Sequence, residues 1–201
     1  MNEKYEITDI SHPDYPHLHR VRALREIDAD IHKGDLGGYV QSRENLSQKD
    51  SCWIFGDAIA CGEALVSQYA RVSGHAVICG SALVSGGACV SRNAVIEDQA
   101  MVLAGTVGGD CFISGNACLA QNPKSNVAPS VTGRAAVYGM VYGSVMISGD
   151  SVILPGVKID MPTRDVLEIR DGRVCLHRFR GWPQNTPAKN EQRTRDNGPE
   201  R

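Results

Sequence analysis

Between about Gly56 and Val107 an aliphatic residue returns at every sixth position: Ala60, Val66, Val72, Ile78, Val84, Val90, Ile96 and Val102. A second series runs two residues ahead of it: Ala58, Ala64, Ala70, Ala76, Ala82, Ala88, Ala94 and Ala100, with Thr106 at the next beat. Residues two apart on an extended chain point to the same side, so both series face one narrow interior. The two positions that follow are mostly small or polar, as in Ser67-Gln68, Ser73-Gly74, Ser85-Gly86 and Glu97-Asp98, which suits a tight corner. A helix would repeat about every 3.6 residues, and this pattern does not. A six-residue unit cannot enclose a core by itself, but stacked on its neighbours it builds a continuous one. The expected fold is all-β: a single-stranded parallel β-helix.

Composition agrees. Three Phe and two Trp against 21 Gly in 201 residues suit a thin solenoid core better than a globular core filled by aromatics. A net charge of −2 carries no nucleic-acid or membrane footprint. The stretch Met1-Asn2-Glu3-Lys4-Tyr5-Glu6 is polar and acidic, and no run approaches the ~20 apolar residues of a membrane span. Seven Cys, an odd number without CxxC pairs, support neither a zinc site nor a disulfide framework, and point to a reducing cytoplasm.

Residues 1–52 break the six-residue rule. Lys4–Ile10 and His19–Ile27 read as short strands, followed by a glycine-marked turn at Asp35-Leu36-Gly37-Gly38 and a strand at Tyr39-Val40. This segment is placed to form an N-terminal β cap over the open end of the solenoid. Residues 53–159 carry the repeats, with Trp53 and Phe55 in the first coil, a five-residue step between Thr106 and Cys111, and one insertion at Gln121–Asn126. The insertion reads either as a tolerated surface loop or as part of a binding face. The beat returns at Val131, Ala135 and Val137, stumbles through Tyr138–Gly143, and resumes at Ile147, Ser151, Ile153 and Val157. Residues 160–180 hold a second cap, a hairpin of Val166–Arg170 and Arg173–Arg178 about Asp171-Gly172. The polar stretch 181–201 is expected to be disordered.

The repeat [LIV]-x-G-x-A-x, seen in Val72-Ser73-Gly74-His75-Ala76-Val77 and Val84-Ser85-Gly86-Gly87-Ala88-Cys89, resembles that of the left-handed β-helix acyltransferases. The segments Asp35-Leu36-Gly37-Gly38-Tyr39-Val40, Glu44-Asn45-Leu46-Ser47-Gln48 and Cys52-Trp53-Ile54-Phe55 resemble the lead-in of the bacterial YdcK-like proteins of the hexapeptide-repeat acetyltransferase class. The resemblance implies a left-handed, three-sided coil of about eighteen residues. It also implies a homotrimer, acetyl-CoA as cosubstrate held between solenoids, and a His as general base. Ile153-Leu154-Pro155-Gly156-Val157-Lys158-Ile159 is similar to the I-x-P-G-V-x-I coil of such enzymes. The chain departs from the family pattern at Asp160-Met161-Pro162, where further coils would help bind CoA, and the repeats present no His on an extended loop.

An eighteen-residue register stacks distant residues. One outer face should carry Ile59, Val77, Val95 and Phe112, a second Leu65, Leu83, Met101 and Cys118, and a third Arg71, Cys89 and Val107. Two apolar outer stripes suggest self-association into a trimer, although strands favour aliphatic residues in any case. One corner stacks Asp57, His75, Asn93 and Asp110. Asp57 beneath His75 would orient the imidazole as a general base, while Asp, Asn and His are also ordinary corner residues. Cys61 and Cys79 should stack at a separation that a disulfide could span, and read as a reduced pair of surface thiols in preference to a bridge. His12, His17 and His19 lack further ligands at a metal-binding spacing, and His177 falls on the hairpin surface. Two functions remain open: an acyl-CoA-dependent O- or N-acyltransferase, and a non-catalytic solenoid for assembly or binding.

Overall fold

The computed structural model describes residues 3–179. Each hexad contributes a strand of about two residues, and successive strands fall in rotation on three sheets. The product is a three-sided parallel β-solenoid of about seven turns. Ile59, Val77, Val95 and Phe112 pair in sequence on the first face, and Leu65, Leu83, Met101 and Cys118 on the second. Both inward series are buried throughout, from Ala58 and Ala60 to Ala100 and Val102. Each enclosed Val or Ile contributes about 1.5–3 kcal/mol relative to exposure, which is how so thin a core holds.

The third face differs from the expected register. Cys89 pairs with Thr106 and Val90 with Val107, so Val107 points inward and Thr106 outward. The five-residue step falls one hexad earlier than expected, between Val102 and Val107. Gly105 takes the place of the inward alanine. Its carbonyl accepts from Cys89 N at 2.9 Å, and a Cβ there would lie 2.1 Å from Pro129 O, so only glycine lets the coils close up. Thr106, turned outward, donates its hydroxyl to Ser130 Oγ at 2.9 Å.

At the N-terminal end β1 (Tyr5–Ser11), β2 (His19–Ala23) and β3 (Leu36–Val40) form an antiparallel sheet, and β3 then pairs in parallel with Ile59–Ala60 of the first coil. Gly37 and Gly38, expected in a turn, lie inside β3. A Cβ on Gly38 would come within 2.4 Å of both Ala58 O and Ile54 Cγ2, and one on Gly37 within 2.9 Å of the Trp53 ring. The glycines are there for close approach of cap to coil. Asn45 and Gln48 fasten the contact. Buried Asn45 accepts from Gln41 N and Ser42 N and donates to Gly62 O and Ala64 O. Gln48 exchanges hydrogen bonds with the Tyr5 backbone. The Lys4 ammonium, fully buried, donates to Cys52 O at 2.9 Å and to Cys52 Sγ at 3.2 Å. Burial lowers the Lys4 pKa and raises that of the Cys52 thiol.

At the other end Val166–Arg170 adds in parallel to Val145–Ser148, and Arg173–His177 returns antiparallel to it through Asp171 and Gly172, whose φ values are +50° and +76°. The hairpin therefore extends the third sheet beyond the last coil, while the first sheet ends at Val152–Ile153 and the second at Lys158–Met161. The expected tail 181–201 lies outside the described residues. No helix among the described residues is long and apolar enough to cross a membrane.

Candidate functional site

Chemistry on a solenoid must be built at its corners or faces, because the interior is filled. The corner between the third and first faces is the ladder expected from the sequence, and it is longer: Asp57, His75, Asn93 and Asp110 are followed by Arg134 and Asp150. The residue before each rung has positive φ, as at Gly74 (+74°) and Gly133 (+77°). A Cβ on Gly74 would lie 2.8 Å from Arg92 N of the next coil, so the rungs are set by a backbone stack that favours glycine beside them.

The rungs are largely paired among themselves or with the cap. Arg20, lying 4.4 Å above the Tyr39 ring, reaches Asp57 Oδ1 at 2.6 Å and also donates to Gly37 O and Gly56 O. Asn93 Nδ2 donates to Asp110 Oδ1 at 2.8 Å, and Arg134 makes a two-point ion pair with Asp150 at 2.6 Å. That pair holds the Asp150 carboxyl below the usual range. His75 is exposed, and among the described residues its ring has no hydrogen-bond partner. Asp57 and His75 stack as the register requires, but the carboxylate serves Arg20 and does not orient the imidazole.

The corner between the first and second faces is different near its C-terminal end. Ile113 to Leu119 spans six residues in one coil and Ile153 to Ile159 six in another, whereas the coil between them passes from Val137 to Val141 in four. That corner is cut short. The gap it leaves is a cleft of about 420 Å³ lined by Gly115, Asn116, Tyr138, Gly139, Met140, Pro155, Gly156 and Val157. A Cβ on Gly139 would meet Val157 O at 2.5 Å and Leu154 O at 2.9 Å, so the floor is bare backbone by necessity. Tyr138 is propped against Phe112, ring to ring at 6.2 Å. The upper lip is the Pro155-Gly156-Val157 turn of the coil singled out above. The stumble through Tyr138–Gly143 was the visible sign of this cleft, and reading it as a shortened corner would have located it.

Other expected sites resolve as follows. His12 stacks edge-on to Tyr39 at 4.6 Å, within a loop that covers Tyr39 and Ile59, and Tyr15 lies between His12 and His17. Among the described residues no group of three His, Cys, Asp or Glu is placed to hold a metal. Cys61 and Cys79 sit one coil apart, and burial, with Cys61 and Glu97 nearby, pushes the Cys79 thiol up to about 11. The raised value keeps the thiol protonated at neutral pH. His177 Nε2 lies 2.8 Å from Glu168 Oε2 on the exposed hairpin. The insertion is a fastened loop: Asn122 Oδ1 accepts from Lys124 N and Ser125 N, and its Nδ2 donates to Asp160 at 2.6 Å. No protein-family model matches the chain, and no curated protein matches it.

Proposed function

We propose that the chain is a hexapeptide-repeat acyltransferase that binds acyl-CoA at the cut corner and transfers the acyl group to a hydroxyl or amine acceptor. The observation that carries this reading is the cleft under Pro155-Gly156-Val157. Its volume lies within the range of small-molecule sites, and the cut corner leaves it open between the Gly115-Asn116 turn and the Pro155-Gly156-Val157 turn. Acyl-CoA would supply the activated acyl group as a thioester. Asn116 and Tyr138 are the polar side chains of the lining, and Lys158, adjacent to the lip, is the cation nearest in sequence for the cofactor's phosphates. His75 belongs to another corner and to coils nearer the N-terminus, so it does not serve this cleft within one chain. A trimer through the apolar sides would set each cleft against a neighbouring solenoid.

A second reading, a non-catalytic assembly or binding module, is favoured by a specific observation: Arg20 occupies Asp57, and among the described residues no carboxylate or imidazole lines the cleft. Calorimetric titration with acetyl-CoA separates the two. Asn116 is exposed on the rim, so Asn116→Trp plugs the cleft without entering the core. The acyltransferase reading expects micromolar binding, weakened at least about tenfold by Asn116→Trp and unchanged by His75→Ala. Absence of binding up to millimolar acetyl-CoA would leave the module reading in its place.

A further inference from the structure

Among the described residues, the inward column of the third face ends uncovered. Val72, Val90, Val107, Val131 and Ile147 occupy it and are at most 1 % exposed, Ile169 above them is half-buried, and Val174 at the top is 67 % exposed. Leu176 stands beside it on the same side, opposite Leu167, and is 53 % exposed. Among the described residues no coil lies behind these side chains, because the other two sheets have already stopped. The hairpin is an apolar wall standing over the last coil, whose own inward Ile159 is only partly covered. Arg173–His177 is also the edge of its sheet, and among the described residues nothing pairs with the side that faces away from Val166–Arg170. Edge strands are commonly blocked by Pro, Lys or an inward charge. This strand has none of these on its inner side.

We propose that two copies of the chain join end to end here, their Arg173–His177 strands pairing antiparallel about Cys175. That register sets Val174 against Leu176 of the second copy, so the two walls become one continuous apolar surface and each of these side chains is partly covered by its cross-strand partner. It also sets Arg173 against His177 of the second copy. Glu168 Oε2 lies 2.8 Å from that imidazole, so the arriving guanidinium meets a carboxylate. Within its own chain Arg173 faces Arg170 across the hairpin, a like-charge pair that the new contact relieves. The charges thus select a second copy as the occupant, and a two-fold axis makes every contact twice. The pairing uses the end of the solenoid and is independent of the acyl-CoA reading.

Light scattering of the full chain across a range of concentrations tests this. Val174→Glu with Leu176→Glu changes two exposed residues and sets like charges opposite each other between copies. The particle mass is expected to fall by half, with the β-sheet circular dichroism of each chain unchanged. In a Cys89→Ser background, which removes the other exposed thiol, a short bis-maleimide should join chains through Cys175, and the double-glutamate variant should abolish this product. Equal masses for wild type and variant at every concentration would overturn the proposal. So would an associated wild type giving no Cys175 pairs. Protection of 173–177 from hydrogen exchange in a monomer would assign the edge to another segment of the chain and overturn it likewise.

Discussion

Tyr5 shows how much one residue carries in a solenoid that must be closed at its base. Its ring is fully buried edge-on against Trp53 at 6.3 Å, and its hydroxyl donates to Leu46 O at 2.6 Å. Burial raises its pKa from 10.0 to about 12. Below pH about 10 both folded and unfolded chains hold the phenolic proton, and its contribution to stability is complete. Between about 10 and about 12 only the folded chain holds it, so that contribution is lost as pH rises. Tyr5→Phe removes the hydrogen bond, costing about 1 kcal/mol at neutral pH, and removes this alkaline limb as well. Groups shared by the two proteins cancel in the difference. Denaturant melts at a series of pH values should therefore show the gap between wild type and variant narrowing above pH 10. A gap that stays constant to pH 12 would refute this account of Tyr5.

At the scale of elements, the repeats were legible and their interruptions were not. A six-residue period states which side chains go inward, and the strand pairings follow it on two faces without exception from Ile59 to Cys118. A shortened repeat can give up its residue at more than one point along the coil. Whether Gly105 or Thr106 replaces the inward alanine depends on the distance to Pro129 in the next coil, which no local pattern contains. The cap glycines were visible but misread, because a Gly-Gly pair serves a turn or a close approach equally well until Ala58 and Ile54 are in place beneath it. Pairing of Asp57 with Arg20, 37 residues apart, likewise depended on where β2 lands. The insertion yields a prediction at this scale. Asn122 is 5 % exposed and makes three side-chain hydrogen bonds that fold the loop onto Asp160 and its own backbone. Asn122→Ala leaves those groups unpaired, at a local cost of about 1–3 kcal/mol. The expected result is faster hydrogen exchange at Lys124–Val127 with little change in the global melting temperature, since the coils beneath do not depend on the loop. Unchanged exchange there would mean that the insertion is held by other contacts.

Taken as a whole molecule, the solenoid offers neighbours three unequal sides. On the first, the loop from His12 to Leu18 already covers Tyr39 and Ile59, so the apolar stripe begins only at Val77. The third presents Arg71, ion-paired with Asp28 and Asp30, followed by Cys89, Thr106 and Ser130. The second keeps Leu65, Met101 and Met140 exposed in one column, with Leu83 partly exposed between Leu65 and Met101. If the chain forms the trimer proposed above, that side is where its solenoids meet. Leu65→Glu with Leu83→Glu should then reduce the particle mass threefold, and Thr106→Glu on the polar side should leave it unchanged. The lateral and terminal contacts share no residue, so their effects should be independent. The lateral variant would leave end-to-end pairs, the Val174→Glu and Leu176→Glu variant would leave trimers, and the combination would leave single chains. Retention of the wild-type mass by the lateral variant would reduce the second-face stripe to the ordinary preference of strands for aliphatic residues.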